Sequence, residues 1–405
     1  MDPVAVAVFV LVYAGMILGE IPGLALDRTG IALLGAIAIV ATGRLTIDQA
    51  WGAIDVHTLA LLFGLMVMSA QFRLGGFYAE TVRRIGAHAG APETLLLWVV
   101  IVAGAMSSVL ANDIVCLAMA PILIDVCARR HLTPFPFLIG LACASNVGSA
   151  ATLIGNPQNM FIGESLQLSF GGYMLDGGPP AVLGLAATWL IIRSQWRGRW
   201  IDEGQPRIDR RQPPLFDRWQ TAKGLVLLAL TVASFLATPW PRDVIALGMA
   251  GVLLLSRRMA SREMLALVDW HLLVLFIGLF VVNEAVESAG LLRQLYGWLA
   301  SAGVDLARPV WLFIVTPIVS NLVSNVPAVM LLLPASSGPQ AGAVLALAST
   351  LAGNLLIVGS IANIIVVEQA ASRSVVIDWR VHARTGIPVT LATLAIAGAW
   401  LWVRG

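Results

Sequence analysis

The chain has 405 residues, of which 58% are hydrophobic and only 12% charged, with a formal net charge of +2 and a mean hydropathy of +0.85. A soluble domain carries about twice that charged fraction, so most of this surface must be solvated by lipid. The length accommodates about ten crossings of roughly 20 residues each. The basic residues sit in short loops between apolar runs and build no face for a phosphate backbone, which excludes nucleic acid as a partner.

Apolar runs fall at 4–19, 29–43, 55–72, 94–128, 134–166, 180–194, 222–238, 242–256, 268–284, 308–335, 341–371 and 386–403. No Lys or Arg precedes Arg28, so the first run lacks the positive region of a cleaved signal peptide and reads as a retained span within 1–28. The runs 94–128 and 308–335 are each interrupted by polar residues near the middle. Their lengths suit re-entrant helical hairpins, because backbone breaks at membrane depth only where protein or a watery cavity satisfies it. The runs 134–166 and 341–371 carry Gly and Asn inside them and read as broken helices. Cys116, Cys127 and Cys143 lie in or beside apolar segments without a CxxC pair and read as packing residues.

Loop charge orients this layout. The segment from Arg193 to Lys223 is rich in Lys and Arg and is expected to be cytoplasmic. With both hairpins counted as such, the loops carrying Arg28, Arg83, Arg130, Arg258 and Arg380 fall on that same side. The loops 167–178 and 336–340 have no Lys or Arg and fall outside. Both termini are then expected outside.

The sequence repeats itself. Asp55-Val56-His57 and the apolar run after it match Asp269-Trp270-His271, 214 residues later, with Gly64 over Gly278 and Gly76 over Gly290. Ser108 to Asn112 falls over Asn321 to Asn325, and Gly155 and Asn159 fall over Gly359 and Asn363. The charge pattern puts the loop before His57 outside and that before His271 inside, so the halves run in opposite directions. The expected fold is an all-α integral membrane protein, with about ten transmembrane helices plus two re-entrant hairpins in two inverted repeats with broken helices. The expected units are 29–194, a cytoplasmic linker over 195–221 containing Pro206, Pro213 and Pro214, and 222–405. Inverted repeats with broken helices are common in secondary transporters, with the substrate held near the midplane.

Candidate binding residues cluster at the breaks. The first hairpin tip carries Ser107, Ser108, Asn112 and Asp113; its counterpart carries Ser320, Asn321, Ser324 and Asn325. Hydroxyls and amides can coordinate a dehydrated cation or hydrogen-bond an anion, and the exposed helix ends add donors and carbonyls; the same residues also serve as helix caps. Ser145, Asn146, Thr152, Gly155, Asn156, Pro157 and Asn159 mark the first broken helix, and Asn354, Gly359, Ser360 and Asn363 the second. Pro157 removes a backbone donor and the glycines permit unusual dihedrals, which predicts unwinding near 146–157. Asp113, a charge at membrane depth, is the strongest single candidate and could carry a proton, bind sodium or cap its helix. Glu164 and Glu368 sit near the ends of the two broken helices, and His57 and His271 at matched span entrances. No GxSxG, HExxH or Walker A pattern occurs, so the sequence reads as a transporter driven by an ion gradient rather than an enzyme. A channel is disfavoured by the lack of charge rings.

At LANDIVCLAMAPI (110–122), SNVGSAATLIGNPQNMFIG (145–163), SNLVSNVPAVMLLLP (320–334) and GNLLIVGSIANIIV (353–366) the chain resembles the ion transporter superfamily, which includes arsenite permeases, divalent-anion/sodium symporters and sodium/proton antiporters. The Asn112-Asp113 pair looks like the arsenite-permease-like branch; dicarboxylate symporters usually carry Ser-Asn-Thr at that tip, where this chain reads Ala111-Asn112-Asp113. The resemblance implies a homodimer with a scaffold and a moving transport domain, and a site lined by Asn112, Asp113, Ser145, Asn146, Thr152, Asn156, Ser324, Asn325 and Asn354. It implies a small anionic or oxyanion substrate, with no cofactor beyond a sodium coupling ion, placed at Asn112, Asp113 and Asn325. A soluble ATPase partner is left unspecified.

Overall fold

The computed structural model describes residues 2–19, 23–201 and 215–404. Most of the linker read from the sequence, with Pro206, Pro213 and Pro214, lies outside the described residues.

The first half of the chain forms α1 (Pro3–Leu18), α2 (Arg28–Ala41), α3 (Ile47–Ala53), α4 (Val56–Leu74), α5 (Phe77–His88), α6 (Pro92–Val109), α7 (Asn112–Arg129), α8 (Phe135–Ser149), α9 (Pro157–Ser165) and α10 (Phe170–Gln195). The second half follows the same succession: α11 (Arg218–Ala237), α12 (Arg242–Leu254), α13 (Ser261–Leu265), α14 (Trp270–Ser288), α15 (Leu291–Ser301), α16 (Pro309–Val323), α17 (Asn325–Leu332), α18 (Ala341–Ala352), α19 (Ile361–Ala371) and α20 (Trp379–Arg404). Among the described residues six helices, namely α4, α6, α10, α11, α14 and α20, are long and apolar enough to cross a membrane; shorter apolar helices account for the other runs. Leu183 on α10, Val226 on α11 and Leu391 on α20 are exposed, as expected of a surface whose solvent is lipid. The protein is a multi-pass, all-helical membrane protein.

Matched residues start matched helices. Asp55 caps α4 by accepting from Thr58 N at 3.0 Å, and Asp269 caps α14 by accepting from Leu272 N at 3.0 Å. Gly76 and Gly290 open α5 and α15 at φ 69° and 71°, a left-handed conformation in which a side chain is strained. A Cβ on Gly64 would stand 2.8 Å from the Ala246 carbonyl carbon, and one on Gly278 would stand 2.7 Å from that of Ala32. Glycine is what lets α4 close on α12 and α14 close on α2, the small-residue packing that holds helices together where lipid offers no hydrophobic drive. Tyr13 Oη donates to Asn283 Oδ1 at 2.8 Å and ties α1 to α14.

The two interrupted runs are hairpins. The α6–α7 turn spans only Leu110 and Ala111. At the far end of α7, Arg130 donates to Gly86 O (3.3 Å) and Gly90 O (2.7 Å), so the chain leaves beside the point at which it entered. Tyr296 Oη, on α15 ahead of the second hairpin, donates to Leu331 O near the end of α17 at 2.5 Å, holding the returning helix beside its entry. Its tip is Ser324, held at φ 77°.

Some detail differs from the sequence reading. Segments expected as loops contain α3, α5, α13 and α15, short helices that lie between the spans. The α8–α9 break covers 150–156, starting four residues later than expected: Asn146 and Ser149 remain helical, with the Asn146 side chain reaching Asn354 and the Ser149 hydroxyl donating back to Asn146 O of its own helix.

Candidate functional site

The two hairpin tips and the two helix breaks meet in a buried network of amides and hydroxyls. Its centre is Asn146 on α8, only 2% exposed. Asn146 Nδ2 donates to Asn354 Oδ1 (2.9 Å) and Asn363 Oδ1 (3.1 Å), both in the second half of the chain. Its Oδ1 accepts from Ser360 Oγ (2.9 Å) and from Asn112 Nδ2 (3.2 Å) at the first hairpin tip. One side chain thus joins the first tip to the second break. Asn363 Nδ2 spans that break by donating to Gly353 O (2.7 Å) and Leu356 O (3.0 Å), which satisfies carbonyls the unwound helix leaves free.

The reciprocal contact runs through Thr350 on α18, which lies 204 residues after Asn146, the same offset that relates Gly359 to Gly155. Thr350 Oγ1 donates to Asn159 Oδ1 (3.1 Å) and accepts from Asn156 Nδ2 (3.2 Å) and Gln158 Nε2 (3.3 Å). Asn156 also caps α9 through Asn159 N (2.9 Å), with Pro157 in the first helical position, where a missing N–H costs nothing. Asn159 Nδ2 reaches Thr152 O (3.0 Å) and Tyr173 Oη (3.2 Å).

The tips are tied to the breaks by backbone. Asn112 N donates to Gly155 O at 3.2 Å, and Thr152 Oγ1 donates to Ser108 O at 2.5 Å. Gly155 is required by closeness: a Cβ there would lie 2.3 Å from Ser149 O and 2.7 Å from Ser107 O. Ser145 Oγ donates to Asn112 O (3.1 Å) and accepts from Ser107 Oγ (3.1 Å). At the second tip the Asn325 amide, with its nitrogen turned toward the carbonyls, donates to Gly359 O (3.0 Å) and Ser349 O (3.2 Å).

Of the candidates from sequence, Asn112, Ser145, Asn146, Asn354, Ser360 and Asn363 form one connected chain of bonds. Thr152, Asn156 and Asn159 form its neighbour with Thr350, and Asn325 with Gly359 a third group. Ser108 contributes its carbonyl, while its hydroxyl turns back to Ala105 O. Asp113 is half-buried in the first turn of α7 and, among the described residues, its carboxylate makes no hydrogen bond or ion pair. Ser324 lines a cavity of about 150 Å³ together with Arg28, Asp269, His271, Pro327 and Ile361. Thr350, Ser349, Gln158, Tyr173 and His382, whose Nε2 stands 3.1 Å from Asn354 O, were not singled out as site residues from sequence. Thr350 could have been found by carrying Asn146 across the repeat.

No Lys or Arg enters this network, so it offers neutral donors and acceptors only. Asn112 Oδ1 is buried without a hydrogen-bond partner. An orphaned amide oxygen, with no cluster of acidic, histidine or thiolate groups among the described residues, is a hard oxygen ligand rather than the soft one a transition metal prefers.

Comparison with known proteins places the chain. The profile of the CitMHS family, described as citrate transporters, matches residues 9–352. The chain belongs to the citrate transporter family. It is 29% identical to a 46 kDa membrane protein of Mycobacterium leprae, over 100% of this chain and 99% of that protein. It is 28% identical to the silicon efflux transporter LSI3 of Oryza sativa, over 93% of each, and 28% identical to the inner membrane protein YbiR of Escherichia coli, over 85% of this chain and 87% of that protein. The fold resembles the crystal structure of the Alcanivorax borkumensis YdaH transporter, with a TM-score of 0.56 at 15% identity, covering 99% of this chain and 98% of that one. The citrate transporter family lies within the superfamily that the motifs resemble, and this member is a membrane transporter rather than an enzyme.

Proposed function

We propose that the chain is a secondary active transporter that moves a small anion or metalloid oxyanion across the cell membrane by alternating access, coupled to a proton or sodium gradient. The observation that carries this reading is that Asn146 joins the first hairpin tip to the second break, Thr350 joins the first break to α18, and Asn325 ties the second tip to Gly359 of the second break. Such a buried site would present amides and helix ends to a cargo near mid-membrane once uncovered as a unit. The lack of a basic side chain favours a singly charged or neutral oxyacid over a multiply charged carboxylate, whose desolvation would go unrepaid. A relative named for silicon efflux is consistent with a hydroxylated neutral cargo. Asn112 Oδ1, with Asp113 and Asn325, would hold the coupling sodium.

In this reading the halves 29–194 and 222–405 are inverted repeats preceded by a separate span within 1–28, and ten crossings place both termini outside. The repeats form a homodimer's protomer, with α1, α2, α4, α11, α12 and α14 as scaffold. The alternative is a sodium/proton antiporter in which the unpaired Asp113 carboxylate exchanges the cations directly, with no anion carried.

Reconstitution in liposomes separates the two. Uptake of arsenite, silicic acid, sulfate, phosphate and citrate is followed under imposed proton or sodium gradients, with Asp113→Asn beside wild type. Saturable gradient-driven uptake of one of these supports oxyanion transport. Sodium-driven proton flux that needs none of them, and that Asp113→Asn abolishes, supports the antiporter.

A further inference from the structure

A buried charged contact ties α12 to the end of α9. Arg242, the first residue of α12, places Nε 2.8 Å from Glu164 Oε1 in the last turn of α9, with both side chains about nine-tenths buried. Its two terminal nitrogens donate to Gly163 O (2.8 Å) and Leu168 O (3.1 Å). The arginine thus fastens the end of the first broken helix to the α12–α4 pair. Beside it, Asp243 Oδ2 stands 2.7 Å from His57 Nδ1 at the start of α4.

The repeat supplies the same parts on the opposite side. Arg28 opens α2 as Arg242 opens α12, 214 residues apart, and Glu368 lies on α19 as Glu164 lies on α9, 204 residues apart. Thr29, the counterpart of Asp243, bonds His271 O at 3.3 Å, the counterpart of His57. There the resemblance stops. Arg28 Nε is buried without a partner, Glu368 is exposed, and among the described residues neither makes an ion pair. Between Arg28 and the second tip lies the cavity of about 150 Å³ lined by Ser324, Pro327 and Ile361.

We propose that Arg242–Glu164 and Arg28–Glu368 are reciprocal latches, one made only when the other is broken. The inference rests on the alternating-access reading above and assigns a role to four residues outside the amide network. In the state seen, Arg242 holds one face shut while the Arg28 face stands open. In the opposite state Arg28 engages Glu368, the cavity closes, and Glu164 is released. Inverted repeats make this exchange nearly neutral in energy, since one buried ion pair replaces another.

The test reads which face is open and needs no substrate. Ile361→Cys is introduced into the cavity wall; the native cysteines are all buried and give little background. Its rate of modification by a membrane-impermeant thiol reagent is measured from the Arg28 face, in membranes. Adding Glu164→Gln removes the made latch and is expected to slow labelling about tenfold as the population shifts. Adding Glu368→Gln removes only the unmade latch and should leave labelling at or above the parent rate. With both substitutions the two losses offset, and labelling should return toward the parent. A double variant slower than Glu164→Gln alone, equal slowing by either single substitution, or no effect of either would overturn the proposal. Because no cargo is added, failure of every substrate to be transported would sink the transport reading while leaving this outcome readable.

Discussion

Asn146 shows why a buried amide is a demanding residue. It makes four side-chain hydrogen bonds to partners that are themselves buried. Truncation to Ala would orphan those partners, at roughly 1–3 kcal/mol for each group left unsatisfied. Asn146→Ala is therefore expected to lower thermal stability in detergent and to abolish uptake, whereas Ser108→Ala, whose hydroxyl only returns to its own helix, should alter neither much. Thr350→Val keeps the shape and removes the bonds to Asn159, Asn156 and Gln158. Uptake should fall at least about tenfold while the protein still folds, because apolar neighbours on α18 hold the backbone. Size-exclusion profiles beside initial uptake rates check this. Asn146 was legible in the sequence because polar residues interrupt an apolar run. Thr350 was not, since a threonine in an Ala-rich helix more often bonds its own turn.

Among the elements, the glycine contacts between α4 and α12 and between α14 and α2 set the spacing of the helices that surround the site. Gly64→Val would drive methyls into the Ala246 backbone and is expected to cost about 1–3 kcal/mol, read as a lowered melting temperature; Gly278→Val should do the same against Ala32. A milder effect is expected on α5, which lies outside the spans. Burial pushes the Glu80 carboxyl up, but the hydrogen bonds and charges of Arg84, at 2.6 Å, and of Arg83 outweigh it and hold it below the usual carboxylate range. A carboxyl held low stabilises the fold above the ordinary carboxylate range and loses that contribution as pH falls through its lowered value. Glu80→Gln should therefore reduce stability at neutral pH and flatten its decline in acid. The hairpins were readable because a polar tip and return charges accompany each one. The helices α3, α5, α13 and α15 read as loops in the sequence because they are short and amphipathic, with charge on one side that resembles a loop's.

For the whole molecule, the order of elements repeats, yet the packing is not symmetric: one face is fastened by Arg242 and the other leaves Arg28 facing a cavity. Sequence alone could pair Glu164 with Glu368 as equivalent positions. It could not see that, among the described residues, Glu164 makes an ion pair with an arginine and Glu368 does not, because that depends on the conformation adopted and not on the pattern of residues. The network offers amides, hydroxyls and helix ends rather than fixed charge, and in the proposed reading that suits a small polar cargo better than the multiply charged citrate for which the family is described. The most direct measurement is gradient-driven uptake of arsenite and silicic acid into liposomes containing wild type, Asn146→Ala or Ser108→Ala. The account predicts saturable uptake of at least one of them by wild type and Ser108→Ala, and none by Asn146→Ala. Undiminished uptake by folded Asn146→Ala would contradict it, because the cargo would then cross without the network in which both hairpins and both breaks meet.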